Sequence, residues 1–329
     1  MKKILLTLVL GFLTSAAIAQ INVGSSINSP ANNAGRLTED EIAGLKKATT
    51  LFVLQKADYP RKADFEKAIA SVWKVSKFQI ITNEEIEKYA ATDGFVFFSF
   101  GTAEIDGTNS RGGAKTGTVH LTYDLWNPKL NKKGEVKARY YFARIMLTQN
   151  AENIQAVQER FSIFNNEKML KYMYEEAHLD NWGAGYLTGY LKLINDLLMK
   201  GETRGKFTED ENDKALLAMR RDTLFVPDYV NQRITNNPFG GNEKDDEADA
   251  KSIKEVYHHP IKFLSATELD QKILNAERPF SYIIYVRTGI DKFVTVYNTT
   301  AGMTYTRHTH LSRNFKYKDL GKLDDAMKP

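Results

Sequence analysis

The strongest constraint on how this chain can fold is a repeat. Thr50-Leu51-Phe52-Val53 returns as Thr223-Leu224-Phe225-Val226, and Asp58-Tyr59 returns as Asp228-Tyr229. The stretch Ile80 to Glu87 lies over Phe263 to Asp270. Phe95 to Phe100 matches Tyr282 to Val286 in character, and Val119 to Asp124 matches Phe293 to Asn298. The order is the same in both halves, although the spacing drifts. A pattern of this length implies two related α/β units of about a hundred residues, an ordinary domain size. The expected class is α/β (α+β): two related mixed-sheet units, at 46–149 and 221–329, joined by a helical connector over 150–220.

Within the first unit, Leu51 to Leu54 is a short apolar run, as in a buried strand. Phe65, Ile69 and Val72 recur at helical spacing, so 62–73 reads as an amphipathic helix. Phe78 to Ile81 is the next strand. Thr82 or Asn83 caps a short helix rich in acids. Phe95 to Phe100 is the most strand-like run, and a glycine-rich loop from Gly101 to Gly117 leads to Val119–Tyr123. Ala138 to Leu147 reads as one more strand. In the connector, Ile154, Val157 and Phe161 share one helical face, and Met169, Leu170 and Met173 share another. Leu187, Tyr190, Leu191, Ile194, Leu197 and Leu198 make a third stripe, ended by Gly201. Lys214 to Arg220 fits a short helix. The second unit is interrupted over 236–251 by an acidic, glycine-containing loop, and its tail ends in a charged stub after Lys318-Asp319-Leu320.

The amino terminus has three parts: Met1-Lys2-Lys3, an apolar run from Ile4 to Leu13, and Ala17-Ile18-Ala19. This is the form of a secretory signal peptide over 1–19, with Gln20 the first mature residue. The expected location is periplasmic or secreted. Residues 20–36 are mostly small and polar, so 20–45 is expected to be a flexible leader followed by a short helix. That helix starts at Thr38, with Glu41 as its capping-box partner.

The chain has no cysteine, which rules out disulfides, thiolate catalysis and cysteine-ligated metal. Formal charge is +4, and two of those charges sit on Lys2 and Lys3. The balance left points to no nucleic-acid partner. No later stretch has the apolar length of a membrane span.

Candidate chemistry is sparse. His308 and His310 are two apart on a predicted strand, so they face one side. With a third ligand they suit zinc. His258-His259 is a second pair. The plainer reading is a pair of exposed histidines at a sheet end, with no metal and no cofactor. Gly112-Gly113-Ala114-Lys115-Thr116 fails the phosphate-loop spacing and precedes a strand rather than a helix. Asp245, Asp246, Glu247 and Asp249 lack the alternation of a calcium loop. Glu84-Glu85 fits a helix start, and Glu175-Glu176 has no visible partner. Gly183, Gly185 and Gly189 permit close helix approach. No catalytic constellation stands out.

The signal ending at Ala19, the strand Leu51–Leu54, Val72-Trp73-Lys74-Val75 leading to Phe78–Ile81, and Lys292 to Tyr297 together resemble uncharacterised exported proteins of Bacteroidota. Their units are similar to small envelope modules such as the N-terminal domain of TolB. The resemblance implies no catalytic residues. The expected function is an exported, non-catalytic binding or scaffolding protein of the cell envelope with a protein partner. The alternative is a metal-dependent enzyme or metal-binding protein using His308 and His310.

Overall fold

The computed structural model describes residues 20–27, 35–108, 115–150, 166–205, 208–233, 253–287, 291–310 and 312–328. The chain runs β1 (Ile21–Ile27), α1 (Glu39–Lys47), β2 (Thr49–Val53), α2 (Lys62–Val72), β3 (Lys77–Ile81) and α3 (Ile86–Ala90). It continues through β4 (Phe95–Thr108), β5 (Lys115–Leu130), β6 (Val136–Leu147), α4 (Asn166–Glu175) and α5 (Ala184–Lys200). The second half is β7 (Asp210–Glu211), α6 (Asp213–Met219), β8 (Leu224–Pro227), β9 (Ile261–Leu264), α7 (Ala266–Leu274), β10 (Ser281–Arg287), β11 (Asp291–Asn298), β12 (Gly302–His310) and α8 (Tyr317–Ala326).

These strands form two six-stranded mixed sheets, β1-β6-β5-β4-β2-β3 and β7-β12-β11-β10-β8-β9. The two orders correspond term by term. In each, the repeated Thr-Leu-Phe-Val strand lies parallel to both neighbours, and the three strands on the other side are antiparallel. A strand flanked and covered on both faces should be apolar throughout, and Thr50 to Val53 are all buried. The repeated Asp-Tyr pair falls in the same place in both units, in a short 3-10 helix that follows that strand: Lys56–Arg61 in the first and Asp228–Asn231 in the second.

The correspondence extends further than the sequence suggested. β1 and α1 precede β2 just as β7 and α6 precede β8. Residues 20–27 are therefore not a flexible leader. Ile21 and Val23 are buried, and β1 pairs with β6. Val23 also exchanges backbone hydrogen bonds with Arg204. Pairing on both sides offsets the ordering cost that so polar a segment could not meet by apolar burial alone. Likewise the connector's last residues, β7 and α6, belong to the second sheet and its cover. The glycine-rich loop is mostly paired strand, since β4 and β5 stay in register from Phe97–Trp126 out to Thr108–Lys115. The charged stub is α8, whose Leu320 and Leu323 are fully buried.

The other elements follow their local signals. Thr38 caps α1 and completes the capping box with Glu41. α5 buries Leu187, Tyr190, Leu191, Ile194 and Leu198, and stops at Gly201 in the left-handed conformation. The expected face of Ile154, Val157 and Phe161 lies outside the described residues, as do the signal segment and the acidic loop.

α5 is the middle of the molecule. One core cluster joins the first sheet, α2, α5 and α7 to Tyr282, Ile284, Val286, Phe293 and Tyr297 on the inner side of the second sheet. A smaller core lies on the other side of that sheet, under Leu216, Met219, Leu320 and Leu323 of α6 and α8. The apolar stripe read from the sequence thus packs against both units. Close approach is made possible by glycine. A Cβ on Gly185 would overlap the carbonyl oxygen of Asp270, and one on Gly189 would lie 2.5 Å from the Tyr282 hydroxyl.

This contact predicts a contrast between helix glycines. Gly185→Ala should cost about 1–3 kcal/mol, because backbone must move. Gly44→Ala, in α1 with open space around it, should gain about 0.5–1 kcal/mol from helix propensity. Urea unfolding of the two variants tests this. A Gly185→Ala protein as stable as wild type would refute the close packing of α5.

Candidate functional site

His308 and His310 stand at the end of β12 and share a face, as their spacing requires. The third member was not singled out from sequence. Asp291, the first residue of β11, is the cross-strand neighbour of His310, and Phe293 is that of His308. Asp291 Oδ1 lies 2.6 Å from His310 Nδ1 and 3.1 Å from His308 Nε2. One ligand atom from each of the three residues falls within a 4.8 Å group. The Phe293 ring stacks on the His308 ring, with centroids 5.3 Å apart and planes 29° off parallel.

The site is half open. The Asp291 and His308 side chains are each 11% exposed, whereas His310 is 58% exposed. His308 is therefore not an exposed histidine at a sheet end. Burial raises the Asp291 carboxyl, but hydrogen bonds from both rings, and their charge, outweigh it and hold its pKa below the ordinary aspartate value. The backbone N–H of His308 donates to Glu209 at 3.0 Å, and Arg307 pairs with Glu209 and Glu211, so the strand carrying the site is pinned from its edge.

His258 and His259 are not part of this group. They face Asp324 of α8, with His258 Nδ1 at 3.0 Å and His259 Nε2 at 3.6 Å from its carboxylate oxygens. Glu85 is spent on the capping box with Thr82. Glu175 and Glu176 are exposed at the end of α4. Gly112–Ala114 and the acids from Glu243 to Asp249 lie outside the described residues. Gly183, Gly185 and Gly189 serve packing of α5 inside the chain.

A second polar cluster lies where α5 begins. Asp270 of α7 accepts from the backbone N–H groups of Gly185 and Tyr186, at 2.7 and 3.3 Å, and pairs with Arg61 at 2.8 Å. Trp182 Nε1 donates to Asp58 at 2.8 Å. Asp180 lies 3.4 Å from Arg287, which also donates to Gln149 and Gln232. Burial pushes Asp58 up to about 6, against the hydrogen bond from Trp182, and pushes Asp180 up to about 6 against the charge of Arg287. These groups bridge the two units and the central helix. The repeat flagged Asp58 and Asp228, but nothing local in the sequence marks Asp270 as the neighbour of the first or Asp180 as the neighbour of the second.

No family model, curated protein or solved structure matches the chain.

The raised carboxyls have a consequence for stability. Unfolded aspartate titrates near 3.8, so between about pH 4 and 6 the folded chain holds protons that the unfolded chain has lost. The contribution of Asp58 and Asp180 is full below 3.8 and is lost as pH rises through about 6. Asp58→Asn keeps an acceptor for Trp182 and removes the charge. Its melting temperature should exceed wild type by roughly 2–6 °C at pH 8 and match it near pH 4. An equal offset at both pH values would contradict this reading.

Proposed function

We propose that this chain is an exported, non-catalytic binding or scaffolding protein of the cell envelope that works through a protein partner. The observation that carries the proposal is the fusion of two like units through α5 into one core. Two similar surfaces held at a fixed distance engage a partner twice, which raises avidity without new chemistry. The terminal strands β3 and β9 occupy the same position in their two sheets. Each ends its sheet, and an edge strand is a natural place for a partner strand to add. Lys77 and Gln79 on β3, and Lys262 on β9, are exposed there. Among the described residues no helix is long and apolar enough to cross a membrane. The three-part amino terminus supports export, and Gln20 is already buried at the head of β1 with its side chain donating to Tyr190 at 2.7 Å.

The full-length chain, expressed with photo-crosslinking residues at Gln79 or Lys262, tests the proposal. The mature protein should start at Gln20 by mass spectrometry, and both edges should yield adducts with the same envelope protein. An intact Met1 in the envelope fraction would sink the export part. Absence of adducts from both edges would sink the docking part.

A further inference from the structure

We propose that Asp291, His308 and His310 form a three-ligand site for a divalent transition metal of the zinc type. The inference does not depend on the scaffolding reading. It rests on geometry. Strand β12 presents two imidazoles on one face, and β11 sets a carboxylate beside them by cross-strand pairing. Zinc holds nitrogen and oxygen ligands at about 2.0–2.2 Å in a tetrahedron, so its ligand atoms stand roughly 3.3 Å apart. Asp291 Oδ1 is already 3.1 Å from His308 Nε2 and 2.6 Å from His310 Nδ1. Of these two distances only the second must open to admit the ion, and it involves the exposed member of the group; the third, between the two imidazoles, is within 4.8 Å.

The donors also select the metal. Two imidazoles and one carboxylate suit zinc and its neighbours rather than magnesium or calcium, which prefer all-oxygen sets. Stacking on Phe293 fixes the His308 ring, and the hydrogen bond from the His308 backbone to Glu209 fixes the strand beneath it. Rings oriented in this way lose little freedom on binding, as supporting contacts do around metal ligands. Three protein ligands leave the fourth position of the tetrahedron for water or for a donor from outside the chain.

Among the described residues the site belongs to one unit only. Phe52 pairs with Phe98 in the first sheet, and Phe225 pairs with Tyr282 in the second. Counting along the strands from these matched pairs sets Leu121 and Leu147 where the second sheet has Phe293 and His308. The first sheet therefore fills with leucine the place where the second offers a ligand.

The test is equilibrium dialysis and calorimetry of the untagged mature chain with zinc chloride. One ion per chain is expected. His310→Ala, at an exposed position, should weaken binding at least roughly 10-fold while the metal-free protein still melts in one cooperative transition. Asp291→Ala should do the same to binding. His258→Ala combined with His259→Ala should leave zinc affinity as it is. Cobalt loaded in place of zinc should give the strong visible absorption of a four-coordinate ion, lost in His310→Ala. Absence of zinc binding by the wild-type chain at 100-fold excess would overturn the proposal. So would undiminished binding in His310→Ala, or loss of binding in the His258 and His259 double variant.

Discussion

One carboxylate holds the arrangement together. Asp270 is buried on α7 of the second unit, yet its oxygens serve the start of the central helix and Arg61 of the first unit. A helix start leaves N–H groups without intrahelical partners, and a buried acid both satisfies them and complements the helix dipole. Burial raises the Asp270 carboxyl, while Arg61 and the two backbone donors pull it back. Removing such a group leaves two buried helix-start donors without an acceptor, a loss on the order of 1–3 kcal/mol, while the part-exposed Arg61 keeps its second partner Asp64. Gly183 and Gly185 fit this setting because Asp270 lies where their side chains would be, with its carboxylate at Gly183 and its backbone carbonyl at Gly185. This contact ties both units to the start of α5, beside the apolar core they share.

Elements with a local cause were legible in the sequence. The capping residue Thr38 with Glu41, the stripe ending at Gly201, and the buried run Leu51–Val53 each carry their signal within a few residues. The repeat was legible because two short strands kept their letters. Elements whose cause lies far along the chain were not. β1 has Ile21 and Val23 in alternation, but its stability comes from β6 and Arg204, more than a hundred residues away. The tail reads as a charged stub because Leu320, Leu323 and Met327 are few among its charges; the core they enter is built from the second sheet. Of the candidate site, the strand period placed His308 and His310 on one face. Asp291 needed the register across the Thr299–Ala301 turn, which a bulge at Val296–Tyr297 shifts by one.

The duplication explains architecture better than chemistry. Both units use the same strand order, the same turn after the central strand, and the same capped entry after the edge strand, at Thr82 and Ser265. Their polar interiors have diverged. The first sheet buries Arg144 against Asp124 in a two-pronged pair, with contacts of 2.6 and 2.8 Å. The second buries Lys292 against Asp319 of α8 at 2.5 Å. The ion pairs lie in different places, and the His308–His310 pair appears in one copy. A common frame has been kept while the groups able to bind or titrate have become specific to each copy.

The placement of β1 has a consequence for how the molecule is made. Its partners on β6, α5 and at Arg204 follow it by more than a hundred residues, 170 in the case of Tyr190. At about 5–20 residues per second, the ribosome needs roughly 10–30 s to supply them. For that interval the first strand has nothing to pair with, and an apolar strand left open that long is an aggregation hazard. Asn22, Ser25 and Ser26 separate its few apolar side chains. The polar composition that disguises this segment as a leader also lets it wait in water until the rest of its sheet arrives.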